Sequence, residues 1–212
     1  MCSLSDSWDL ARLVRLKDAP GANSGAFRNQ GECKLTEEQV LNMLECVCEY
    51  IREEREYYLS IGKPLDSEHV AVVRPFFSPT LLAGIKVVQL EGQRIKVPSD
   101  RQEIGALDFR GFREFTHMAS MTFEEVLVFN DKITERLLFH ALVRSVQFQV
   151  LGLARYVELF FRVFLDTGWR FNVPLEGHAF ELESKFVENR ETPFSVEEEV
   201  RTRVIQNRYE SL

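Results

Sequence analysis

The segment from Lys132 to Leu151 constrains the fold more than any other part of the chain. Plotted at about 100° per residue, it is apolar around most of its circumference, and Arg136, His140, Arg144 and Gln147 fall in one narrow polar stripe. A surface helix carries a wide polar face. A helix with so thin a stripe is expected to be buried on most sides, with the stripe lining a pocket or an internal polar network. With 212 residues, 45% of them hydrophobic, the chain is long enough to bury such a helix within one core. A lone histidine such as His140 more often satisfies an ordinary hydrogen bond than binds a ligand. Its place in the stripe is what makes it a candidate.

The elements around this helix follow from spacing and punctuation. Residues 1–34, with APGANSG, have the composition of a loosely ordered arm, and residues 35–212 are expected to form a single domain. Thr36 with Gln39 makes a capping box, and Val40, Leu44, Val47 and Ile51 recur at helical spacing, predicting a long helix that ends near Gly62. Glu38, Glu45, Glu49, Glu53 and Glu54 on that helix read as a solvated face. Val70–Val73, Ile85–Leu90, Arg94–Val97 and Val126–Phe129 read as strands, with Glu91-Gly92 as the turn between the second and third. Helices are then expected from Lys132 to Leu151, stopped by Gly152, and from Leu153 to Asp166, stopped by Gly168. A helix starting at Pro174 carries the stripe Leu175, Ala179, Leu182 and Phe186, and Ser195–Arg208 predicts a charged last helix with a solvated acidic face at Glu197–Glu199. The fold class is therefore α+β, helix-rich, with a small β-sheet packed against the central helices.

Charge and composition exclude several function classes. A formal net charge of -7 argues against a general phosphate-backbone binder, so nucleic acid is not an expected partner. The apolar stretch Leu137–Leu165 is interrupted by His140, Arg144, Arg155, Glu158 and Arg162 and reads as core, so no membrane partner is expected either. The start MCSLSDSWDL lacks a basic region followed by an apolar run, which predicts a cytoplasmic protein. Cys2, Cys33, Cys46 and Cys48 contain no C-x-x-C pair and are expected to be reduced thiols. His69 and His117 read as turn or surface residues, and Phe160, Phe161 and Phe164 as core. No serine lies in a nucleophile-elbow pattern, and no phosphate-binding glycine motif is present.

The stretch Leu137-Leu-Phe-His-Ala-Leu-Val-Arg-Ser-Val-Gln resembles the metal-binding helix of the bacterial zincin-like, metallopeptidase-like families, where H-E-x-x-H is followed three residues later by glutamine. His140 takes the first histidine position, Ala141 that of the glutamate and Arg144 that of the second histidine, so the H-E-x-x-H pattern is degenerate. The segment Pro174-Leu-Glu-Gly-His-Ala-Phe-Glu181 is similar to the helix that supplies the third zinc ligand in gluzincin-type relatives. That likeness, over roughly residues 75–190, implies a zincin-like domain, with Glu176 at the ligand position and Glu181 as a carboxylate that orients a histidine. It also implies that Val126–Phe129 is the edge strand of the cleft.

A guanidinium has no lone pair for a metal and stays protonated, so Arg144 would repel zinc at the family's metal position. It is expected instead to pair with Glu176 and neutralise that carboxylate. Without a glutamate at 141 the usual general base is missing, and no catalytic residue is assigned. The expected function is that of a catalytically inactive zincin-fold pseudoenzyme serving a protein or small-molecule ligand, with a vestigial pocket of His140, Arg144, Gln147, Glu176 and Glu181. No cofactor is expected. The alternative is a metal-dependent hydrolase binding zinc through His140, Glu176 and His178.

Overall fold

A computed structural model describes residues 36–95, 118–167 and 172–210 of the chain. The expectations for the arm 1–34, for Cys2 and Cys33, for His117 and for Gly168 lie outside the described residues. Among the described residues the order is α1 (Glu37–Ile61), β1 (Lys63–Pro64), α2 (Ser67–Val73), α3 (Pro79–Gly84), β2 (Lys86–Gln89), β3 (Ser120–Phe123), β4 (Val126–Phe129), α4 (Glu135–Leu151), α5 (Leu153–Thr167), α6 (Pro174–Glu188) and α7 (Val196–Ile205). This is a helix-rich α+β architecture with a small mixed sheet, as the sequence predicts.

The long α1 begins where the capping box places it, with the Thr36 hydroxyl accepting from Gln39 N–H and the Gln39 side chain accepting from Thr36 N–H. Val70–Val73 is helical rather than extended. The Asp66 carboxylate accepts from His69 N–H and caps a short helix there, and this local bond outweighs the β-branched preference of three valines. The same carboxylate reaches His69 Nδ1 at 2.6 Å, so His69 serves a helix start. The sheet runs in the order β1-β2-β4-β3, with β2 parallel to β4 and the other pairs antiparallel. Within the described residues the turn at Glu91-Gly92 does not lead into a strand paired with β2, and Lys96 and Val97 of the expected strand lie outside them. Gly92 takes a positive φ of 74°, but Arg94 and Ile95 lie outside any strand, and the place beside β2 is taken by β4. Ile95 is instead a buried core residue whose N–H donates to Asn130.

Strand β4 is buried on both faces, which follows from its run of four apolar residues. It is an interior strand, since β2 and β3 flank it, and not the edge expected from the resemblance. Its alternating side chains feed two cores. Val126 and Val128 join Phe123, residues of α1 such as Val47 and Ile51, and the aromatic face of α5. Leu127 and Phe129 join Leu138, Leu142 and Val146 of α4, together with Ala179, Leu182 and Phe186 of α6 and Val196 and Val200 of α7. Phe160, Phe161 and Phe164 are core residues, as their spacing predicts. Gly152, at φ 75°, breaks the apolar run between α4 and α5, a backbone conformation costly for residues with a Cβ. No single helix among the described residues is long and apolar enough to cross a membrane.

Candidate functional site: the polar seam between two buried helices

Thr134 caps α4 by accepting from Leu137 N–H, and every residue from Leu138 to Phe148 is then buried. His140, Arg144 and Gln147 therefore cannot reach solvent and must be satisfied by a neighbouring element, while Arg136, at the open end of the stripe, stays partly exposed. That element is α6, which Pro174 starts and whose first turn carries Glu176. The Arg144 guanidinium donates to the Glu176 carboxylate, with the two side chains 7% and 0% exposed. Glu176 also lies where the dipole of α6 favours negative charge. Burial alone would lower the Arg144 pKa, but the charge and hydrogen bond of Glu176, with Tyr156 and Glu183 nearby, together outweigh it and hold the guanidinium above its usual range.

One turn earlier on α4, His140 Nδ1 lies 2.7 Å from Glu183 Oε2 on α6, and Nε2 lies 4.0 Å from Glu176 Oε2. The carboxylate on Nδ1 selects the tautomer protonated there and leaves Nε2 facing the Arg144–Glu176 pair. Arg136 donates to the same Glu183. Burial would raise the Glu183 carboxyl, but the hydrogen bond and charge of His140, with those of Arg136, hold it below the ordinary value. The Phe180 ring leans on His140 with centroids 4.6 Å apart. At the far end of the stripe, Gln147 Nε2 donates to the Leu175 carbonyl at 3.0 Å. Two guanidinium charges thus face two carboxylates along the seam, and it is neutral when His140 is neutral.

The residue orienting His140 is Glu183 and not Glu181. Glu183 follows Glu176 by seven residues, two helical turns, so both face α4, whereas Glu181 is turned about 140° away. Glu181 is largely exposed and pairs with Arg203 at 2.6 Å. The spacing of seven was the signal that could have found Glu183. The same geometry separates His178 from Glu176, two residues apart and on opposite faces. His178 Nδ1 meets the Tyr209 hydroxyl at 2.6 Å instead, so the set His140, Glu176 and His178 is not assembled. Among the described residues no group of three or more His, Cys, Asp or Glu side chains is arranged to hold a metal ion. Cys48 is a buried free thiol.

The acidic start of α7 is not wholly a solvated face. Glu197 is buried, and its carboxylate accepts from Ser78 N–H at 2.7 Å across the second core. It borders a surface depression of about 470 Å3 lined by Phe76, Phe77, Phe194 and Arg201, which shares no lining residue with the polar seam. The seam itself is a closed charged interface. No family model matches this chain, and no curated protein or solved structure matches it.

Proposed function

We propose that this protein is a non-catalytic binding or scaffolding domain of zincin-like descent, a pseudoenzyme in which an ion pair stands where relatives would hold zinc. The observation that carries the reading is the buried pair of Arg144 and Glu176, with the Nε2 atom of His140 beside it. A permanently protonated guanidinium can neutralise the carboxylate that would otherwise bind a metal, and it offers no lone pair to one. The carboxylate on His140 Nδ1 is the arrangement that commonly orients a metal-binding histidine, which supports descent from a metal site. Position 141, where the general base of the H-E-x-x-H pattern would lie, holds an alanine with no exposed surface, packed in the second core. Both seam carboxylates are engaged by cations, so neither is available to activate water. The ligand belongs to the class of proteins or small molecules rather than nucleic acids, on the ground of net charge.

The test is metal stoichiometry. Protein purified without chelator and dialysed against zinc is expected to hold far less than one equivalent by elemental analysis. The double variant Ala141→Glu with Arg144→His, which rebuilds the histidine pair, is expected to take up zinc. Near-stoichiometric zinc in the unaltered protein, lost on Glu176→Gln, would overturn the proposal in favour of a hydrolase.

A further inference from the structure

The turns that lead into α3 and α7 line the depression beside Glu197, and nothing in the polar seam uses it. The first turn brings Pro75, Phe76, Phe77 and Ser78, and the second brings Pro193 and Phe194. They are tied together where Val196 N–H donates to the Phe76 carbonyl at 3.0 Å and Ser78 N–H donates to Glu197 Oε1 at 2.7 Å. The Phe194 ring meets the Phe76 ring edge-on, with centroids 5.2 Å apart. Backbone bonds and core packing therefore fix the shape of the depression.

Glu197 is the unusual member of this lining. It is only 7% exposed, and one of its oxygens is taken by Ser78 N–H. The other, Oε2, has neither a hydrogen-bond partner nor an ion-pair partner among the described residues, and it keeps access to the depression. The first turn of α7 favours negative charge there without a matching cation. Glu198 and Arg201, exposed at the rim, likewise make no ion pair among the described residues. Two carboxylates against one guanidinium leave one negative charge unmatched in the depression. The neighbouring surface already seats one ammonium in the same chemistry, with Lys185 Nζ 4.2 Å from the Phe194 ring centroid and 2.6 Å from Glu199 of α7.

We propose that this depression is a docking site for a lysine side chain of a partner polypeptide, with the ammonium on Glu197 Oε2 and the aliphatic stem along Pro75, Pro193 and Phe194. An apolar wall ending in a carboxylate matches the two halves of a lysine side chain. A single open oxygen suits a compact ammonium whose donors turn freely. The forked guanidinium of arginine calls for two acceptors in one plane, and Ser78 already holds one of them. The volume of about 470 Å3 lies within the range of ligand clefts and leaves room for the backbone that carries the lysine. Arg201, four residues beyond Glu197 on the same face of α7, competes for its carboxylate and holds the affinity down. The site goes beyond the proposed function by giving the binding role a partner class, and it does not depend on zincin descent.

Titration of the isotope-labelled full chain with acetyl-lysine methylamide at low salt, followed by amide resonances, tests this. The Ser78, Phe194 and Glu198 amides are expected to shift and saturate, and to stay in place with the norleucine counterpart, which keeps the stem and lacks the charge. Glu197→Gln, whose amide oxygen still accepts from Ser78 N–H, should weaken binding by about tenfold or more, the loss of one charge-assisted hydrogen bond. Arg201→Ala should strengthen it roughly two- to fivefold by removing the competitor. Should Glu197→Gln not fold, Arg201→Ala and the salt dependence of the unaltered protein decide, since affinity must fall as salt rises. Shifts that never saturate, equal shifts with the norleucine compound, or unchanged affinity in Glu197→Gln would overturn the site. So would tighter binding of acetyl-arginine methylamide, or weaker binding of the lysine compound in Arg201→Ala.

Discussion

The two helix pairs that flank the sheet use ion pairs in opposite ways. Between α1 and α5 the interior is apolar and aromatic, and charged contacts lie at the rim, where Arg162 bridges Glu37 at 2.7 Å and Glu158 at 3.2 Å with all three side chains at least 35% exposed. Between α4 and α6 the charges lie inside, and the Arg144–Glu176 pair has almost no exposed surface. Loss of a rim partner lets water replace it. Loss of a seam partner strands a charge that no solvent reaches, so the same chemical pair carries a different consequence on the two sides of one sheet.

The largest expected effect breaks the seam from one side. Arg144→Ala or Glu176→Gln should each lower the unfolding free energy by about 3 to 5 kcal/mol in urea titrations, and the double variant should lose clearly less than the sum. Strictly additive losses would remove the contrast between seam and rim. A sharper form replaces both partners at once with apolar side chains, as in Arg144→Met with Glu176→Leu. If desolvation dominates, this pair should be neutral or more stable by about 1 to 4 kcal/mol, measured by the same titration. A large loss would mean that the pair contributes net stability rather than only requiring to be matched.

Acid separates the groups further. The neutral His178 should cost about 2 kcal/mol of stability between pH 7 and pH 5, if its proton is taken only when the structure opens. Glu183, held below its ordinary value, contributes stability above the usual carboxylate range and should lose it only at lower pH, as that depressed value is crossed. Two acid phases in a pH series of thermal denaturation, the upper one missing in His178→Gln, would bear this out. The smallest effect belongs to the rim. Arg155→Ala, which removes contacts to Glu158 and Glu210, should change stability by at most about 1 kcal/mol, and the change should shrink in high salt. A larger effect that persists in salt would blur the distinction drawn between the two sides.

Much of the helical framework was legible because its signals are local. The Thr36 capping box, Gly152 after α4 and Pro174 at the start of α6 each act within a few residues, and the observed boundaries follow them. Strand β3 escaped the reading because its hairpin turns through Glu124-Glu125, with Glu124 at a positive φ of 56°, where Asn or Gly would have signalled a turn. The short helix at Ser67 was hidden by three valines and revealed by one capping aspartate. Within the site, the α4 stripe was readable from helical period alone, and Glu176 from the resemblance to a ligand-bearing helix. Glu183 was readable too, from its spacing of seven, but a motif placed the orienting carboxylate at Glu181 and drew the reading away from it.

The amino-acid pattern by itself determined that α4 would be buried with a line of polar groups along one side, and that those groups would need partners, because period and composition are properties of the helix alone. Which partners they received was decided only when the chain closed. Glu183 meets His140, Tyr209 meets His178, and β4 lies inside the sheet, because these contacts join residues far apart in sequence and depend on how the helices pack. A helix carries its own face in its period, but its neighbour's register comes from fitting side chains in a shared core, which no local signal encodes.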